Sequence, residues 1–314
     1  MKIVVAGEGA FGVRHLEAIQ NIAEVEVVSL VGAAPDATRQ VAQRFAIPHW
    51  TGDLAEALAQ PGVAAAILAT PTPMHAAQAI LCLEAGKHVQ VEIPMADNLA
   101  DAERLADTAR RGGRIGMAGH TRRFNPSHQW IRARIQAGEL VLQQMVAQTY
   151  FRRRTNTNAL GQPRGWTDHL LWHHACHSVD LFQHQTGESA GIARAIQGPI
   201  HPVLGIAMDM AIQLKAPRSG AIGVVSLSFN NDGPLGTTFR YICDNGTYLA
   251  RYDDLVDGKK APIDVSNAAV SMNGIELQDR EFFAAIDEGR EPEASFAKVL
   301  PAYQTLDRLE KSLG

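Results

Sequence analysis

A chain of 314 residues is long enough for two domains of ordinary size, and with 46% hydrophobic residues it can bury a sizeable core in each. A formal charge of −4 argues against nucleic acid and acidic membrane surfaces as partners, and no apolar run approaches the length of a bilayer span. Cys82, Cys176 and Cys243 are scattered, odd in number and without CxxC spacing, which argues against a disulfide framework or a thiolate metal site and fits a reducing cytoplasm. Met1 runs at once into Lys-Ile-Val-Val-Ala-Gly, the pattern of a buried strand entering a glycine turn rather than of a secretory leader.

The first 120 residues alternate between two periodicities. Strands are expected at 2–6, 26–31, 64–69, 87–91 and 114–118, and helices at 10–21, 36–45, 53–59, 73–85 and 98–110. This alternation predicts a doubly wound parallel sheet of the α/β class. After Gly119 the character changes. A helix at 125–137 leads to a long strand at 141–154 and a polar loop at 155–165, and a helical period follows at 168–185. Extended segments then succeed one another at 192–198, 205–215, 221–229, 237–243 and 247–251, with Asp244-Asn245-Gly246 as a hairpin signal between the last two. Helices at 275–288 and 295–312 close the chain. Strands in succession predict an open, mostly antiparallel sheet, so the division expected is a dinucleotide-binding domain over 1–120 and a substrate and oligomerisation domain over 121–314.

Gly7-Glu8-Gly9-Ala10-Phe11-Gly12 is a complete GxGxxG placed directly after the first strand and at the start of a helix. Gly7 permits the tight turn, Gly9 lets the backbone approach a pyrophosphate, and Gly12 lets helix and strand pack closely; Ala10 and Phe11 lie at the helix N-terminus that faces the phosphates. This is the Rossmann fingerprint, and it predicts NAD or NADP as cofactor. The second strand ends Val31-Gly32-Ala33-Ala34, without the acid that normally meets the ribose hydroxyls of NAD. Arg39, slightly downstream, could reach a 2′-phosphate, so NADP is favoured and NAD stays open.

His169, His173 and His177 stand at i, i+4 and i+8, one stripe on a continuous helix. A base must come within hydrogen-bond reach of a hydroxyl whose carbon gives up a hydride, and His177 is the first candidate with His173 beside it. Asp180, three residues on, could orient His177 or hold its charge. Arginine suits a carboxylate substrate because its fork binds planar oxygens in pairs. Arg122 and Arg123, followed by Asn125, Arg164 in the loop, and the run Arg152-Arg153-Arg154 stand out against the negative overall charge. Alternation along a strand lets only part of that run face one site. His169, His174 and Asn158 are further polar candidates.

Thr70-Pro71-Thr72-Pro73-Met74-His75, Gly86 through Pro94, and His173 through Asp180, with the early GxGxxG, resemble the Gfo/Idh/MocA family of oxidoreductases along the whole chain in order and spacing. The resemblance implies a Rossmann domain followed by an α/β domain on an open antiparallel sheet, with the nicotinamide ring in the cleft between them. It implies cofactor contacts from Thr70, Pro71, His75, Glu92, Ile93 and Pro94, a cis Ile93–Pro94 bond, and a homodimer through the exposed sheet face. Family members usually carry Glu-Lys-Pro where this chain has Glu92-Ile93-Pro94, and Asp-x-Gly-x-His where it has His173-His174-Ala175-Cys176-His177. The runs at 91–94, 119–128, 166–175, 198–202 and 228–234 resemble a branch of the family that departs in the same way and oxidises the cyclic hemiacetal of a dicarboxylic semialdehyde. A hemiacetal hydroxyl is more acidic than a sugar hydroxyl, so a neutral histidine, with an ordinary pKa of about 6.5, can replace the missing lysine. The competing readings are a sugar or polyol dehydrogenase, disfavoured by Ile93, and a zinc hydrolase, disfavoured because His174 stands where HExxH needs glutamate, so that no metal is expected. A non-catalytic dinucleotide sensor is the third, and it would need no histidine stripe.

Overall fold

The computed structural model describes residues 1–157, 161, 163–265 and 273–313. Asn158, one of the polar candidates, lies outside the described residues. Contacts divide the chain into two compact units, Met1–His120 with Ile275–Leu300, and Thr121–Gly274 with the chain from Pro301 onward. The segment 275–300, which the sequence reading gave to the second domain, therefore packs with the first.

In the first unit, β1 (Lys2–Ala6), β2 (Glu26–Val31), β3 (His49–Thr51), β4 (Val63–Leu68), β5 (His88–Val91) and β6 (Gly116–Ala118) form one six-stranded sheet in the order β3-β2-β1-β4-β5-β6. All of its pairings are parallel. This is the doubly wound order of a Rossmann fold, and its strands are near-continuous apolar runs because both faces are covered. Ile3, Val4, Val5, Ala6 and Ile67 are fully buried. The helices are α1 (Ala10–Ile19), α2 (Pro35–Arg44), α3 (Leu54–Leu58), α4 (His75–Glu84) and α5 (Leu99–Gly112). Their ends follow local chemistry. The Asp53 carboxylate accepts the Ala55 N–H at 2.8 Å to cap α3, Asn98 caps α5 through the Asp101 N–H at 2.9 Å, and Gly113 ends α5 in the left-handed region. Strand β3, three residues long, was not foreseen from the sequence; it is too short to show a period.

The second unit holds α6 (Pro126–Gln136), β7 (Leu142–Tyr150), α7 (Cys176–Thr186), β8 (Ile192–Gln197), β9 (Asp209–Lys215), β10 (Ile222–Ser228), β11 (Gly236–Cys243), β12 (Gly246–Arg251) and β13 (Asp254–Asp257). The seven strands run in the order β13-β12-β11-β7-β10-β9-β8, antiparallel except for the parallel pair β7–β10. Alternate residues of β9 and β10 are buried, so one face is core, with Phe182 of α7 packed on Gly223. The other face shows Ile192, Ile196 and Ile222. The remaining helices are α8 (Ile275–Glu288) and α9 (Phe296–Lys311). Phe296 fits against Gly116 of β6, where a Cβ would come within 2.3 Å of its ring, which ties the start of α9 to the first unit. No helix among the described residues is long and apolar enough to cross a membrane.

Candidate active site

In the first unit, the candidate dinucleotide-binding residues are built on the turn between β1 and α1. Gly7 has φ +120°, and a Cβ there would lie 2.4 Å from the Ala69 carbonyl oxygen; at Gly12 it would lie 1.7 Å from that of Gly7. At Gly9 nothing lies within 4 Å, so the turn is packed on its inner side and open on its outer side. Gly9 caps α1 without a side-chain bond. The amides of the first turn are thus left for an anion, and the cradle fits a dinucleotide pyrophosphate. Phe11, 55% exposed, stands at the same edge.

Two loops flank this turn. His75 is buried, and its ring nitrogens meet the carbonyl oxygens of Pro94 at 2.8 Å and Thr70 at 2.7 Å. It pins the loop after β4 to the exit of β5 and leaves no ring nitrogen for a ligand; burial lowers its pKa. The Thr70 hydroxyl donates to Gln78 at 2.6 Å, and Ile93–Pro94 is cis.

Glu92, expected to face the cofactor, turns inward instead. Its Oε1 meets His15 Nε2 at 3.2 Å and Gln278 Nε2 at 3.3 Å. His15 Nδ1 meets the Asp279 carboxylate at 2.9 Å, and Gln90 donates to that carboxylate at 2.7 Å. Burial works against a charged imidazole at His15, but Asp279 and then Glu92 outweigh it and raise its pKa to about 10. Glu92 is held ionised by His15 against its own burial. The reason is topological: α8 returns to the first unit and brings Asp279 and Gln278 to α1 and β5, which no local pattern announces.

The second unit gathers the basic residues. Strand β7 ends at Tyr150, earlier than expected, so Arg152, Arg153 and Arg154 lie beyond it. Of the three, Arg153 turns in. Its Nη1 and Nη2 both donate to Asp168, the second at 2.7 Å. Arg164 Nη2 reaches the same carboxylate at 2.8 Å and His174 Nε2 at 3.1 Å. Burial pushes Asp168 up, but His174 and Arg153 hold it well below the usual carboxylate range. Two guanidiniums on one carboxylate leave a net positive cluster. Asn156 fixes the loop beneath it, donating to Arg164 O at 3.2 Å and to Trp166 O at 3.0 Å. Arg153 belongs to the run expected to face a site only in part; Asp168 and Asn156 carry no pattern of their own that would have marked them in the sequence.

The stripe of histidines is interrupted. Residues Leu170–Ala175 form a π-helical turn before α7, and His169 precedes it in extended conformation. A π turn carries more residues than an α turn, so His169, His173 and His177 do not share a straight line. The His173 ring stacks on Trp166 (5.5 Å, 21°) and meets His169 edge-on at 5.1 Å. The His169 main-chain N–H donates to His173 Nδ1 at 3.2 Å, so a neutral His173 carries its proton on Nε2. His177 lies in the first turn of α7 and is half-buried.

The Asp180 carboxylate is engaged by Arg123, whose Nε and Nη2 donate at 2.8 and 2.6 Å in the interior. Arg122 is differently placed: Nη1 donates to Asn125 Oδ1 at 3.2 Å, and the guanidinium lies 5.1 Å from the Tyr252 ring centre. Its Nε is buried without a partner among the described residues. Asn125 in turn donates to Asp253 at 2.6 Å. Arg39, by contrast, is exposed and paired with Asp36 at 3.1 Å.

Residues 1–120 match the family described as oxidoreductases with an NAD-binding Rossmann fold, and residues 126–269 match the bacterial oxidoreductase C-terminal family. The chain is 61% identical over 313 residues to the 4-carboxy-2-hydroxymuconate-6-semialdehyde dehydrogenase of Sphingobium sp., covering 100% of this chain and 99% of the other. It is 30% identical over 141 residues to a Bacillus subtilis scyllo-inositol 2-dehydrogenase, 45% of this chain and 41% of that one. Among solved structures, a levoglucosan dehydrogenase in complex with NADH superposes with a TM-score of 0.86 at 19% identity, covering 99% of this chain and 96% of that one, a likeness of fold. A glycine cradle open to a pyrophosphate, a six-stranded doubly wound sheet and a full-length relative of this kind have one explanation: the chain belongs to the Gfo/Idh/MocA family of NAD(P)-binding Rossmann oxidoreductases.

Proposed function

We propose that this chain oxidises 4-carboxy-2-hydroxymuconate-6-semialdehyde, taken as its cyclic hemiacetal, to 2-pyrone-4,6-dicarboxylate, a step in the 4,5-cleavage route of protocatechuate breakdown. The observation that carries the reading is the cluster of Arg153, Arg164 and His174 around Asp168, beside a helix whose entry is lined with histidines. A dianionic substrate needs fixed cations with paired donors, which a neutral sugar does not. Full-length identity to the relative named for this substrate supports the same reading.

His177 is the base in this proposal. His173 presents an N–H at Nε2 when neutral, because its Nδ1 lone pair already receives a main-chain N–H, so it suits donation to substrate rather than proton abstraction. When bound, the oxidised nicotinamide supplies the hydride acceptor. As the hemiacetal carbon loses its hydride, the hydroxyl proton passes to His177 and the C–O bond becomes the lactone carbonyl. Asp180 acts as a positioning residue, anchoring Arg123 three residues from the base. Arg122, with Asn125 holding it, and Arg164 with Arg153 are the candidate partners of the two carboxylates. His169 and His174 line the same entry.

Gly7, Gly9, Ala10, Phe11 and Gly12 would hold the pyrophosphate, with Thr70, Pro71, Ile93 and Pro94 beside it. His75 and Glu92 would act from behind, one through the loop and the other through His15. NADP⁺, the expectation from sequence, is supported by the lack of an acid on β2 and by an Arg39 ion pair exposed enough to be exchanged. The reading extends to a cytoplasmic homodimer acting on a small molecule, supported by the three buried free cysteines and the apolar residues on the open sheet face. The test is to mix the purified protein with fresh ring-cleavage product and each dinucleotide, follow the reduced cofactor by absorbance, and identify the product by chromatography. Appearance of 2-pyrone-4,6-dicarboxylate is expected; turnover of a neutral polyol instead would overturn the assignment.

A further inference from the structure

Two groups of the second unit that carry the proposed chemistry rest on one indole, that of Trp166. The Arg164 guanidinium carbon lies 4.9 Å from the ring centre, and the His173 ring is stacked on it at 5.5 Å and 21°. The main chain there is fixed as well: Asn156 Nδ2 donates to the Trp166 carbonyl oxygen at 3.0 Å and to the Thr167 hydroxyl at 2.9 Å. The indole itself is only half-buried, so it is not a core residue.

Arg153 is held by other means. Its guanidinium carbon lies 4.6 Å from the centre of the Phe229 ring, its main-chain N–H donates to the Phe229 carbonyl at 2.9 Å, and both of its terminal nitrogens donate to Asp168. Phe229 is 1% exposed and belongs to the core. Arg164 comes from the loop ahead of the π turn and sends Nη2 to the same carboxylate at 2.8 Å, while its Nε is buried without a partner among the described residues. A hydrogen bond at one nitrogen lets a long side chain turn about it, whereas the face of an indole, the best of the aromatic partners for a cation, restrains the guanidinium. Its orientation matters because the fork meets a carboxylate with two parallel donors only when the two groups are aligned. His173 takes its orientation from the same ring and from the His169 main-chain N–H on Nδ1 at 3.2 Å.

We propose that Trp166 is a positioning residue for the substrate: its indole orients the Arg164 guanidinium toward one substrate carboxylate and, to a lesser degree, the His173 imidazole. The inference rests on the dicarboxylate reading of the cluster around Asp168. Steady-state kinetics of the full chain with the dicarboxylic semialdehyde, and calorimetric titration with 2-pyrone-4,6-dicarboxylate in the presence of reduced dinucleotide, test it for the native protein, Trp166→Phe, Trp166→Leu, Arg164→Met and the double variant Trp166→Leu with Arg164→Met. Trp166→Leu is expected to raise KM and weaken product binding about tenfold while kcat falls no more than about threefold. Trp166→Phe keeps an aromatic face and should stay within about threefold of the native protein in both. Because the indole acts through the guanidinium, adding Trp166→Leu to Arg164→Met should change KM by less than about twofold. A KM unmoved by Trp166→Leu, effects that multiply in the double variant, or a Phe variant as impaired as the Leu variant would overturn the role of Trp166 and leave the substrate reading intact. Trp166→Gln replaces Trp166→Leu if the latter melts below the assay temperature; loss of the fold in both would make the indole structural and overturn the role as well. A native protein that neither binds the pyrone dicarboxylate nor oxidises the semialdehyde would overturn the substrate reading too.

Discussion

The pair Arg123–Asp180 offers the sharpest test of how the second unit is assembled, because the sequence pattern points its two members to other tasks. Both side chains are nearly inaccessible, at 6% and 1% exposure, and the guanidinium fork meets the carboxylate at 2.8 and 2.6 Å. Arg123→Met would leave the Asp180 carboxylate buried without its fork, a loss of about 3–5 kcal/mol. For a unit of this size, each kcal/mol lowers the melting temperature by about 2–4 °C, so the variant should melt roughly 6–20 °C lower. Asp180→Leu should lose a similar amount by stranding the guanidinium. The double variant replaces the pair with apolar side chains of similar volume and should recover most of the loss. Calorimetric melts of the four proteins at neutral pH, without dinucleotide, read this directly. Single variants within about 2 °C of the native protein, or losses that simply add in the double variant, would refute the reasoning. A normal melt for Arg123→Met together with a raised KM for the dicarboxylate would instead make Arg123 a substrate ligand.

Other expectations concern the chemistry. His177→Ala should lower kcat by about 10²–10⁴ with little change in KM, while His173→Ala should have a smaller effect on kcat; equal losses would reopen the assignment of the base. Arg153→Lys should raise KM about tenfold, because a lysine cannot reproduce the fork on Asp168, and steady-state kinetics with the dicarboxylate would show it. The His15 pKa in the folded chain is about 10, above its ordinary 6.5, so its contribution is full below pH 6.5 and is lost as pH rises through 10. Urea unfolding should thus show stability falling by a few kcal/mol over that window, and His15→Gln should flatten the fall; an unchanged slope would discount the charge on His15.

The elements of both units were legible because they are written in local terms. The apolar run into Gly7, the caps at Asp53 and Asn98, and the alternation along β9 and β10 each act within a few residues. Strand β13, four residues long beside a hairpin, escaped because so short a segment carries no measurable period. The glycine turn and its open cradle were equally readable, since sterics at Gly7 and Gly12 leave no alternative. What the sequence could not supply is the choice of partner for each charge. Asp168 gathers Arg153, Arg164 and His174; Asp180 takes Arg123 from 57 positions away; Glu92 turns to His15 rather than outward; and Glu8 stands at the end of a strand it does not belong to. A charge pairs with whatever the tertiary fold brings within about 3 Å, and burial then fixes that choice by making every alternative expensive in desolvation. The sequence by itself determined which residue types were present and the elements that carry them; only the packing of those elements decided which carboxylate each cation would meet.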